Sequence, residues 1–210
     1  RLAQACRSNG TLLCVDAIQS LGALRLDVAS LQADFVIADG HKWMLGPEGL
    51  GVFYSRPEAR ERLKLTQYGW HMVEQAGDFD RRAWEVASSA RRFECGSPNM
   101  LGIHALEASL ALLEEVGLAE VEARVLANAR LLIEMIAAQP RLELMSPPHP
   151  ERHAGIVTFR VIDRDSRDVF RHLQEQGVVC ALRSGGIRFS PHFYNTQSQL
   201  EEALAQALRA

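Results

Sequence analysis

The chain has 210 residues, a length of one or two domains, with 23 basic and 26 acidic side chains and a formal net charge of −3. A hydrophobic content of 47% excludes a disordered chain, and the slightly acidic balance argues against a generally basic nucleic-acid binder. No apolar run approaches the ~20 residues of a membrane-spanning helix. The four cysteines form no CxxC pair, which favours free thiols in a reducing, cytoplasmic compartment over disulfides or a zinc ribbon.

The first ten residues have the pattern of an amphipathic helix that ends at Asn9-Gly10. Position 1 is Arg rather than Met, so the chain opens within a helix, and we expect a preceding portion to be missing. Short apolar segments follow at residues 11–16, 34–38 and 49–54, which we predict to be strands. The first ends at Asp16 and the second is followed directly by Asp39, as in strands of a parallel α/β sheet, where polar groups cluster at the carboxyl ends.

A helix is predicted from Pro57 to about residue 65, because proline suits the first helical turn. Residues 67–92 have weak periodicity and many glycine, aromatic and charged residues, and such a long irregular segment is more often functional than idle. Two amphipathic helices follow, with a break at Gly117. Their predicted apolar stripes are Leu101, Ala105, Ala108 and Leu112 in the first, and Leu118, Val121, Val125, Ala129, Leu132 and Ile136 in the second.

The last part of the chain begins after the turn-rich segment 146–150, which contains three prolines. We predict a strand at 156–161, a helix at 166–176, strands at 178–182 and 187–190, and a helix at 197–208. Thr196 and Gln199 occupy the positions of a capping box at the start of the last helix. This order of elements indicates a small α+β domain with mainly antiparallel pairing.

Polar side chains follow the first two predicted strands. Asp16 ends the first strand and Gln19 lies three residues later; a buried carboxylate needs a cation, although a turn or helix-cap aspartate is the alternative. His41 and Lys42 follow the second strand. A lysine at the end of a buried strand is partly dehydrated and can act as a nucleophile, whereas a snorkelling surface lysine is the alternative. The glycine-rich loop GPEGLG after it is by itself only a turn into the next strand.

Taken together, these segments resemble the class V aminotransferase family. The similarity begins with VDAIQSLGALRLDVASLQADFVIADGHKWMLGPEGLGVFY, continues through RRFECGSPN and ends at RFSPHFYNT, so it covers nearly the whole chain. Members of this family are fold-type I enzymes that depend on pyridoxal 5'-phosphate (PLP), and they include cysteine desulfurases, kynureninases and an isopenicillin epimerase.

The resemblance implies an α/β fold in which residues 1–98 are the end of a PLP-binding large domain with a mostly parallel sheet. Residues 99–116 would be a linking helix, and residues 117–210 a small C-terminal α+β domain. A missing N-terminal portion would supply further strands and phosphate ligands. We therefore expect this chain alone to bind PLP weakly and to expose an apolar patch.

The resemblance also implies roles for particular residues. Lys42 would form the Schiff base with PLP and act as acid and base, while Asp16 would pair with the pyridine nitrogen. Gln19 would hydrogen-bond the phenolic oxygen of the ring, and His41 would contact the phosphate. Asp39 departs from the family pattern, which often has Ser or Thr three residues before the lysine. Because a carboxylate beside a phosphate dianion is repulsive, we expect Asp39 to point elsewhere.

Two further family positions lie later in the chain. Ser97 matches a residue whose hydroxyl reaches the PLP phosphate of the neighbouring subunit, which implies a homodimer; a turn serine before Pro98 is the alternative. Arg188 matches the arginine that binds the substrate carboxylate. Its planar guanidinium can donate two parallel hydrogen bonds to a carboxylate. An edge arginine that faces solvent is the alternative there, and Arg183 is a weaker candidate for the same role.

Cys180 is relevant because cysteine desulfurases carry a catalytic cysteine on a loop in this region. Here Cys180 lies inside the apolar run GVVCAL, and no long loop follows it. This context favours a buried structural cysteine. The histidines show no HxH or HxxxH spacing, so no metal site is predicted.

The resemblance therefore predicts a PLP-dependent enzyme that acts on an amino acid held by Arg188, with aminotransfer as the default activity. A cysteine desulfurase, lyase or epimerase of the same family is an alternative, as is a catalytically inactive relative or fragment. A homodimer is expected, and neither nucleic acid nor a membrane is an expected partner.

Overall fold

The computed structural model describes residues 2–210 and divides the chain into two units, each with its own hydrophobic core. Unit 1 contains the residues up to Gly22 together with Leu26–Leu113, and unit 2 contains Ala23–Arg25 and Glu114–Ala210. The domain boundaries expected at residues 98 and 117 stay a prediction.

Unit 1 is built on a three-stranded sheet of β1 (Cys14–Asp16), β2 (Phe35–Asp39) and β3 (Gly51–Ser55), in that order. β1 and β2 are parallel, as predicted, with Asp16 opposite Ile37. β3 differs, because it pairs antiparallel with β2. The connection over residues 40–50 is a loop that folds back, whereas a parallel strand needs a longer crossover, usually a helix. The carboxyl ends of β1 and β2 therefore lie at the edge where β3 begins.

The helices of unit 1 are short until its last one: α1 (Leu2–Ser8), α2 (Val28–Leu31), α3 (Pro57–Arg60) and then α4 (Met100–Val116). α1 ends at Asn9-Gly10 as predicted, with Gly10 in the left-handed region at φ +64°. α3 begins at Pro57 as predicted but is shorter than expected. Residues 67–92 are irregular apart from single turns of 3-10 helix at Trp70–Met72 and Ala90–Phe93.

The buried face of α4 differs from the predicted stripe. The helix buries Gly102, Leu106 and Leu113, while Leu101 is 84% exposed and Leu112 is 46% exposed. The prediction is wrong because α4 is apolar on most of its surface, so periodicity alone does not select a face. Packing against the loop after β2 makes the selection, as described below.

Asp34 ties the amino-terminal end of β2 to the rest of unit 1. Its buried carboxylate accepts a hydrogen bond from the backbone N–H of Leu13 at 2.7 Å and another from Nε of Arg56 at 3.0 Å. The N–H of Leu13, together with the guanidinium of Arg56, holds the pKa of Asp34 below its usual value, against the opposing effect of desolvation. The charged form of Asp34 therefore stabilises the start of β2.

Unit 2 has a four-stranded sheet, in the order β4-β5-β7-β6, in which every pair is antiparallel. Its strands are β4 (Leu142–Leu144), β5 (Val157–Val161), β6 (Ala181–Arg183) and β7 (Gly186–Phe189). The predicted α+β pattern is confirmed here, with β4 added at the sheet edge. Three residues are too few for periodicity to reveal such a strand.

Three helices complete unit 2: α5 (Leu118–Ala138), α6 (Ser166–Glu175) and α7 (Gln197–Arg209). The stripe predicted for α5 is buried except for Leu118 in its first turn, which is 47% exposed. The predicted capping box of α7 is present: Gln199 N donates to Thr196 Oγ1, and Thr196 N donates to Gln199 Oε1. The core also takes in alternate residues of β5 and β7, including Phe159 and Ile187.

The turn from β6 to β7 contains only Ser184 and Gly185. Both residues have positive φ, at +52° and +78°, as the two central residues of a tight hairpin do. The strand predicted at 178–182 begins later, at Ala181, so Cys180 lies just before it. A hairpin this tight leaves no room for a long loop between these strands.

Among residues 2–210, none of the helices is long and apolar enough to cross a membrane. The same residues contain no cluster of three or more His, Cys, Asp or Glu side chains that could hold a metal ion.

We predict that Asp34→Asn lowers the free energy of unfolding at neutral pH by about 1.5–3 kcal/mol, the range for hydrogen bonds to a charged group. Because the pKa of Asp34 is lowered in the folded protein, its contribution is present above the unfolded-state pKa and is lost as the pH falls through the folded-state pKa. Urea unfolding at several pH values checks this prediction.

Glu58→Gln is the matched control, since Glu58 also pairs with Arg56 but is exposed. Its effect is expected to stay within about 0.5 kcal/mol. An Asp34→Asn variant as stable as the wild type at neutral pH would contradict the role given to this carboxylate.

Candidate active site

Two of the predicted site residues lie at one edge of the sheet of unit 1. Asp16 is the last residue of β1, and Lys42 follows the end of β2 by three residues. β1 and β2 are neighbouring parallel strands, so their carboxyl ends meet at the same edge. Asp16 and Lys42 are 26 residues apart in the sequence, but the strands that precede them end side by side.

The carboxylate of Asp16 is exposed and is held by its own turn. Its Oδ1 accepts a hydrogen bond from the backbone N–H of Ile18 at 3.0 Å. Its Oδ2 makes no hydrogen bond or ion pair with any of residues 2–210. The side chain is thus oriented by the turn and keeps an oxygen available for a ligand.

The loop that carries Lys42 is closed by backbone hydrogen bonds between its ends. Gly40 N donates to Leu50 O at 2.8 Å, and Gly46 N donates to Gly40 O at 2.8 Å. Helix α4 packs on the same loop: a Cβ on Gly46 would lie 2.6 Å from Cδ1 of Leu106. An added side chain at that position would force Leu106 to move, so the loop is held close to the helix.

Ser109 adds a second contact between α4 and this loop. Its Oγ donates to Leu45 O at 2.9 Å, and Leu45 has φ +59°, which is uncommon for a residue with a side chain. The hydrogen bond and the packing of Leu106 together maintain this conformation three residues after Lys42. The strain lies within the candidate site, where such backbone geometry is often found.

Gly22 supports the other side of the lysine loop. It has φ +95°, and a Cβ there would overlap the carbonyl group of Trp43 and lie 2.6 Å from Met44 N. Trp43 and Met44 are both buried. The residue after Lys42 is therefore in direct backbone contact with the turn that follows β1.

A cleft of about 340 Å³ lies beside these strand ends. Its lining comes from all three strands and from the turn after β1: Asp16, Ile18, Ile37, Ala38, Asp39, Gly51, Val52 and Phe53. Asp39 was expected to point elsewhere, but it is exposed and lines this cleft together with Asp16. A Cβ on Gly51 would lie 3.3 Å from Oδ1 of Asp39, so the absence of a side chain there keeps the cleft open beside that carboxylate.

The remaining predicted residues of unit 1 have exposed side chains. His41 directly precedes Lys42, and Gln19 lies in the turn after β1. Ser97 lies in a segment without helix or strand, just before α4. Asn99 joins that segment to the lysine loop, with its Oδ1 accepting from Gly102 N at 3.0 Å and its Nδ2 donating to Gly49 O at 3.5 Å.

Arg188 lies in unit 2, in the middle of β7. Its neighbours across the sheet are Thr158 on β5 and Ala181 on β6. The adjacent residues Ile187 and Phe189 are buried in the core, so Arg188 is on the opposite face of the sheet. Its Nε is buried and has no hydrogen-bond partner among residues 2–210, which is an unfavourable state that a bound carboxylate would relieve.

Asn128 orders the loop that follows Arg188, and the sequence did not reveal it. From α5, its Nδ2 donates to His192 O at 3.0 Å and to Asn195 O at 3.1 Å. Within the loop, His192 N donates to Asn195 Oδ1 at 2.8 Å, and the ring of His192 stacks on Tyr194. The only sign of Asn128 in the sequence was an amide side chain among the apolar positions of a helix. Such a pattern does not indicate which residues the amide contacts.

The irregular segment 67–92 carries exposed aromatic side chains around a second cleft of about 250 Å³. Trp70 stacks on Phe79 with ring centroids 6.2 Å apart, and both line that cleft. Arg91 anchors the segment by donating from Nη2 to Val73 O at 2.7 Å. The functional role predicted for this segment stays a prediction.

Cys180 is half-buried beside α6. The amide of Gln174 lies 3.7 Å from its Sγ, and burial raises the pKa of the Cys180 thiol. A raised pKa lowers the fraction of reactive thiolate at neutral pH. The environment is that of a structural cysteine.

Comparison with known proteins identifies the family. The family model described as aminotransferase class-V matches residues 1–203, so this chain belongs to the class V aminotransferase family. The resemblance seen in the sequence is thereby confirmed, and the mixed α/β fold agrees with it.

Curated relatives resemble the chain over nearly all of its length. A probable cysteine desulfurase of Pyrococcus abyssi is 29% identical over 230 residues, which cover 100% of this chain and 56% of the relative. An uncharacterized aminotransferase, YcbU, of Bacillus subtilis is 31% identical over 205 residues, with 97% and 52% covered. The chain thus spans about half the length of the relatives that it matches.

Solved structures have the same fold. The apo cysteine desulfurase of Thermococcus onnurineus superposes with a TM-score of 0.86 at 27% identity, covering 97% of this chain and 53% of that one. A variant of C-DES with glycine covalently linked to its PLP cofactor has a TM-score of 0.80 at 24% identity, covering 90% and 49%. PLP, the cofactor expected from the sequence, is the cofactor that this neighbour contains.

We predict that Gly22→Ala lowers the free energy of unfolding by more than about 2 kcal/mol, because the new methyl group meets the Trp43 backbone in addition to the cost of a positive φ. Gly10→Ala is the matched control: Gly10 has φ +64° but nothing within 4 Å of an added Cβ. It is expected to cost about 1 kcal/mol. Urea unfolding measures both losses of stability. Equal losses in the two variants would show that the contact with the Trp43 backbone adds no cost of its own.

Proposed function

We propose that this protein is a PLP-dependent enzyme that acts on an amino acid, with Lys42 as the residue that holds the cofactor. The single observation that carries the proposal is that β1 ends at Asp16 and the loop that carries Lys42 begins at the end of β2, at the same carboxyl edge of two parallel strands. Packing alone does not require a carboxylate and an amine at these two positions. Membership of the class V aminotransferase family supports the same conclusion.

The residues around this edge are suited to PLP. Asp16 has an oxygen free to meet a protonated pyridine nitrogen, and Ile18 provides an apolar surface in the same cleft. Gln19 and His41 are exposed beside them and would contact the phenolic oxygen and the phosphate. When bound, the cofactor supplies an electron sink for charge that develops at the substrate Cα.

Side chains of this protein would then transfer the proton, bind the substrate and orient the ring. Lys42 would hold the cofactor and would take up and return the proton at the substrate Cα. Arg188 would hold the substrate carboxylate through its guanidinium, and its unpartnered Nε supports this role. Asp16 would place its carboxylate against the ring nitrogen, where it would pair with the protonated form.

Aminotransfer is the activity that we propose first. A cysteine desulfurase needs a mobile, reactive cysteine in the region of Cys180, and here the β6–β7 turn has two residues and the thiol is half-buried with a raised pKa. The second candidate is a desulfurase or lyase, because curated relatives are named as probable cysteine desulfurases.

We further propose that the protein is a homodimer in which Ser97 contacts the cofactor phosphate of the neighbouring subunit. The exposure of Ser97 in a segment tied to the lysine loop through Asn99 supports this role. A cytoplasmic location is proposed as well, since the four cysteines are free thiols among the described residues. The division into a large-domain end at 1–98, a linking helix at 99–116 and a small domain at 117–210 belongs to the same proposal.

The proposed attachment is tested by borohydride reduction of the PLP-loaded full-length protein, followed by peptide mass analysis. This chain has two lysines, Lys42 and Lys64, so they are matched candidates. We predict the pyridoxyl group on Lys42, with labelling lost in Lys42→Arg and retained in Lys64→Arg. Labelling of Lys64, or of a lysine outside this chain, would refute the assignment.

We predict that Arg188→Ala raises KM for the amino-acid substrate by a factor that corresponds to about 1.5–3 kcal/mol, while PLP stays bound. Arg160→Ala is the control, because Arg160 lies on the same sheet face but already pairs with Glu143. An unchanged KM in Arg188→Ala, or an equal rise in Arg160→Ala, would remove the role proposed for Arg188.

Cys180→Ala separates the two candidate activities. If the thiol is structural, turnover changes by no more than a few-fold, and sulfide release from cysteine is negligible in both proteins. Substantial sulfide release that disappears in Cys180→Ala would favour the desulfurase instead.

A further inference from the structure

A second carboxylate lines the cleft beside the ends of β1 and β2 and has no role in the function proposed above. Asp39 is the last residue of β2, it is exposed, and it lines the same cleft as Asp16. Its Oδ1 lies beside Gly51, where a Cβ would come within 3.3 Å. The side chain is therefore directed toward the ligand space and away from the core side of β2, where Val36 and Ala38 are buried.

The charge of Asp39 is not compensated. Its carboxylate makes no hydrogen bond or ion pair with any other of residues 2–210. The cleft residues that face it from β3 are Gly51, Val52 and Phe53, and the facing residue of β1 is the second acid, Asp16. Both acids thus add negative charge to one side of the cleft, and only Asp16 has a cationic partner in the proposed complex.

Asp39 is also three residues from Lys42. In PLP, the aldehyde that reacts with a lysine and the arm that bears the phosphate are substituents on neighbouring ring carbons. A charge close to the attachment lysine therefore acts on the phosphate dianion.

We propose that Asp39 weakens retention of the cofactor phosphate, so that this protein exchanges PLP with the free pool more readily than the same cleft with a neutral residue would. This inference rests on the proposed function, since it requires the cleft to bind PLP. It assigns Asp39 as a determinant of selectivity between the phosphorylated cofactor and its unphosphorylated form, pyridoxal. Asp39 needs no part in the chemistry at Cα.

The test is equilibrium titration of the full-length apo-protein with PLP and, separately, with pyridoxal, followed by absorbance. Asp39→Asn and Asp39→Ser remove the charge in two different ways. We expect the dissociation constant for PLP to fall roughly tenfold in both variants, and the constant for pyridoxal to change less than about twofold. Raising the ionic strength should narrow the difference between the wild type and the variants.

Asp163→Asn is the matched control, because Asp163 is an exposed acid of unit 2 in a left-handed conformation that asparagine tolerates. Unchanged or weaker PLP binding in the Asp39 variants would overturn the inference, as would equal tightening for pyridoxal or the same tightening in Asp163→Asn. If the wild type binds neither ligand, the proposed function fails and the inference fails with it. If the wild type binds PLP but the Asp39 variants keep the same preference for PLP over pyridoxal, the inference fails and the proposed function stands.

Discussion

The parallel pairing of β1 with β2 is the interaction on which the candidate site depends. Its register places Asp16 opposite Ile37, so the carboxylate and the loop that begins after Asp39 emerge at the same sheet edge. A slip of one residue would turn Asp16 to the other face of the sheet. The register is held by apolar side chains on the core side and by the Asp34 carboxylate at the opposite end of β2.

Three glycines then fix the loop that carries Lys42. Gly22 lets the turn after β1 touch the Trp43 backbone, and Gly40 and Gly46 let Leu106 of α4 approach the loop. Since each contact is made by backbone or by a rigid core side chain, the lysine is attached to a preorganised support rather than to a mobile loop. The same packing explains why α4 buries Leu106 and not the stripe suggested by its periodicity. The site and the core of unit 1 are thus stabilised by the same contacts.

The sequence predicted the features that depend on local patterns or on the family motifs. The capping box of α7, the apolar stripe of α5 and the end of β1 at Asp16 are of this kind. It did not predict the direction of β3. An irregular loop can lead into either a parallel or an antiparallel strand, and its tertiary contacts decide between them. It also missed the contacts of Asn128, whose partners are 64 and 67 residues away, and the exposure of Asp39 to the cleft. The direction of β3, the contacts of Asn128 and the exposure of Asp39 all depend on contacts between residues far apart in the sequence, which local residue propensities do not reveal.

We propose that Asp16 and Lys42 hold opposite ends of one cofactor ring. The most direct measurement is a crystal structure of the full-length protein grown with PLP. We predict continuous density from Lys42 Nζ to the cofactor, and an Asp16 carboxylate oxygen about 2.7–2.9 Å from the pyridine nitrogen, the spacing of a charged hydrogen bond. Density attached to another lysine, or a ring nitrogen that faces away from Asp16, would contradict it.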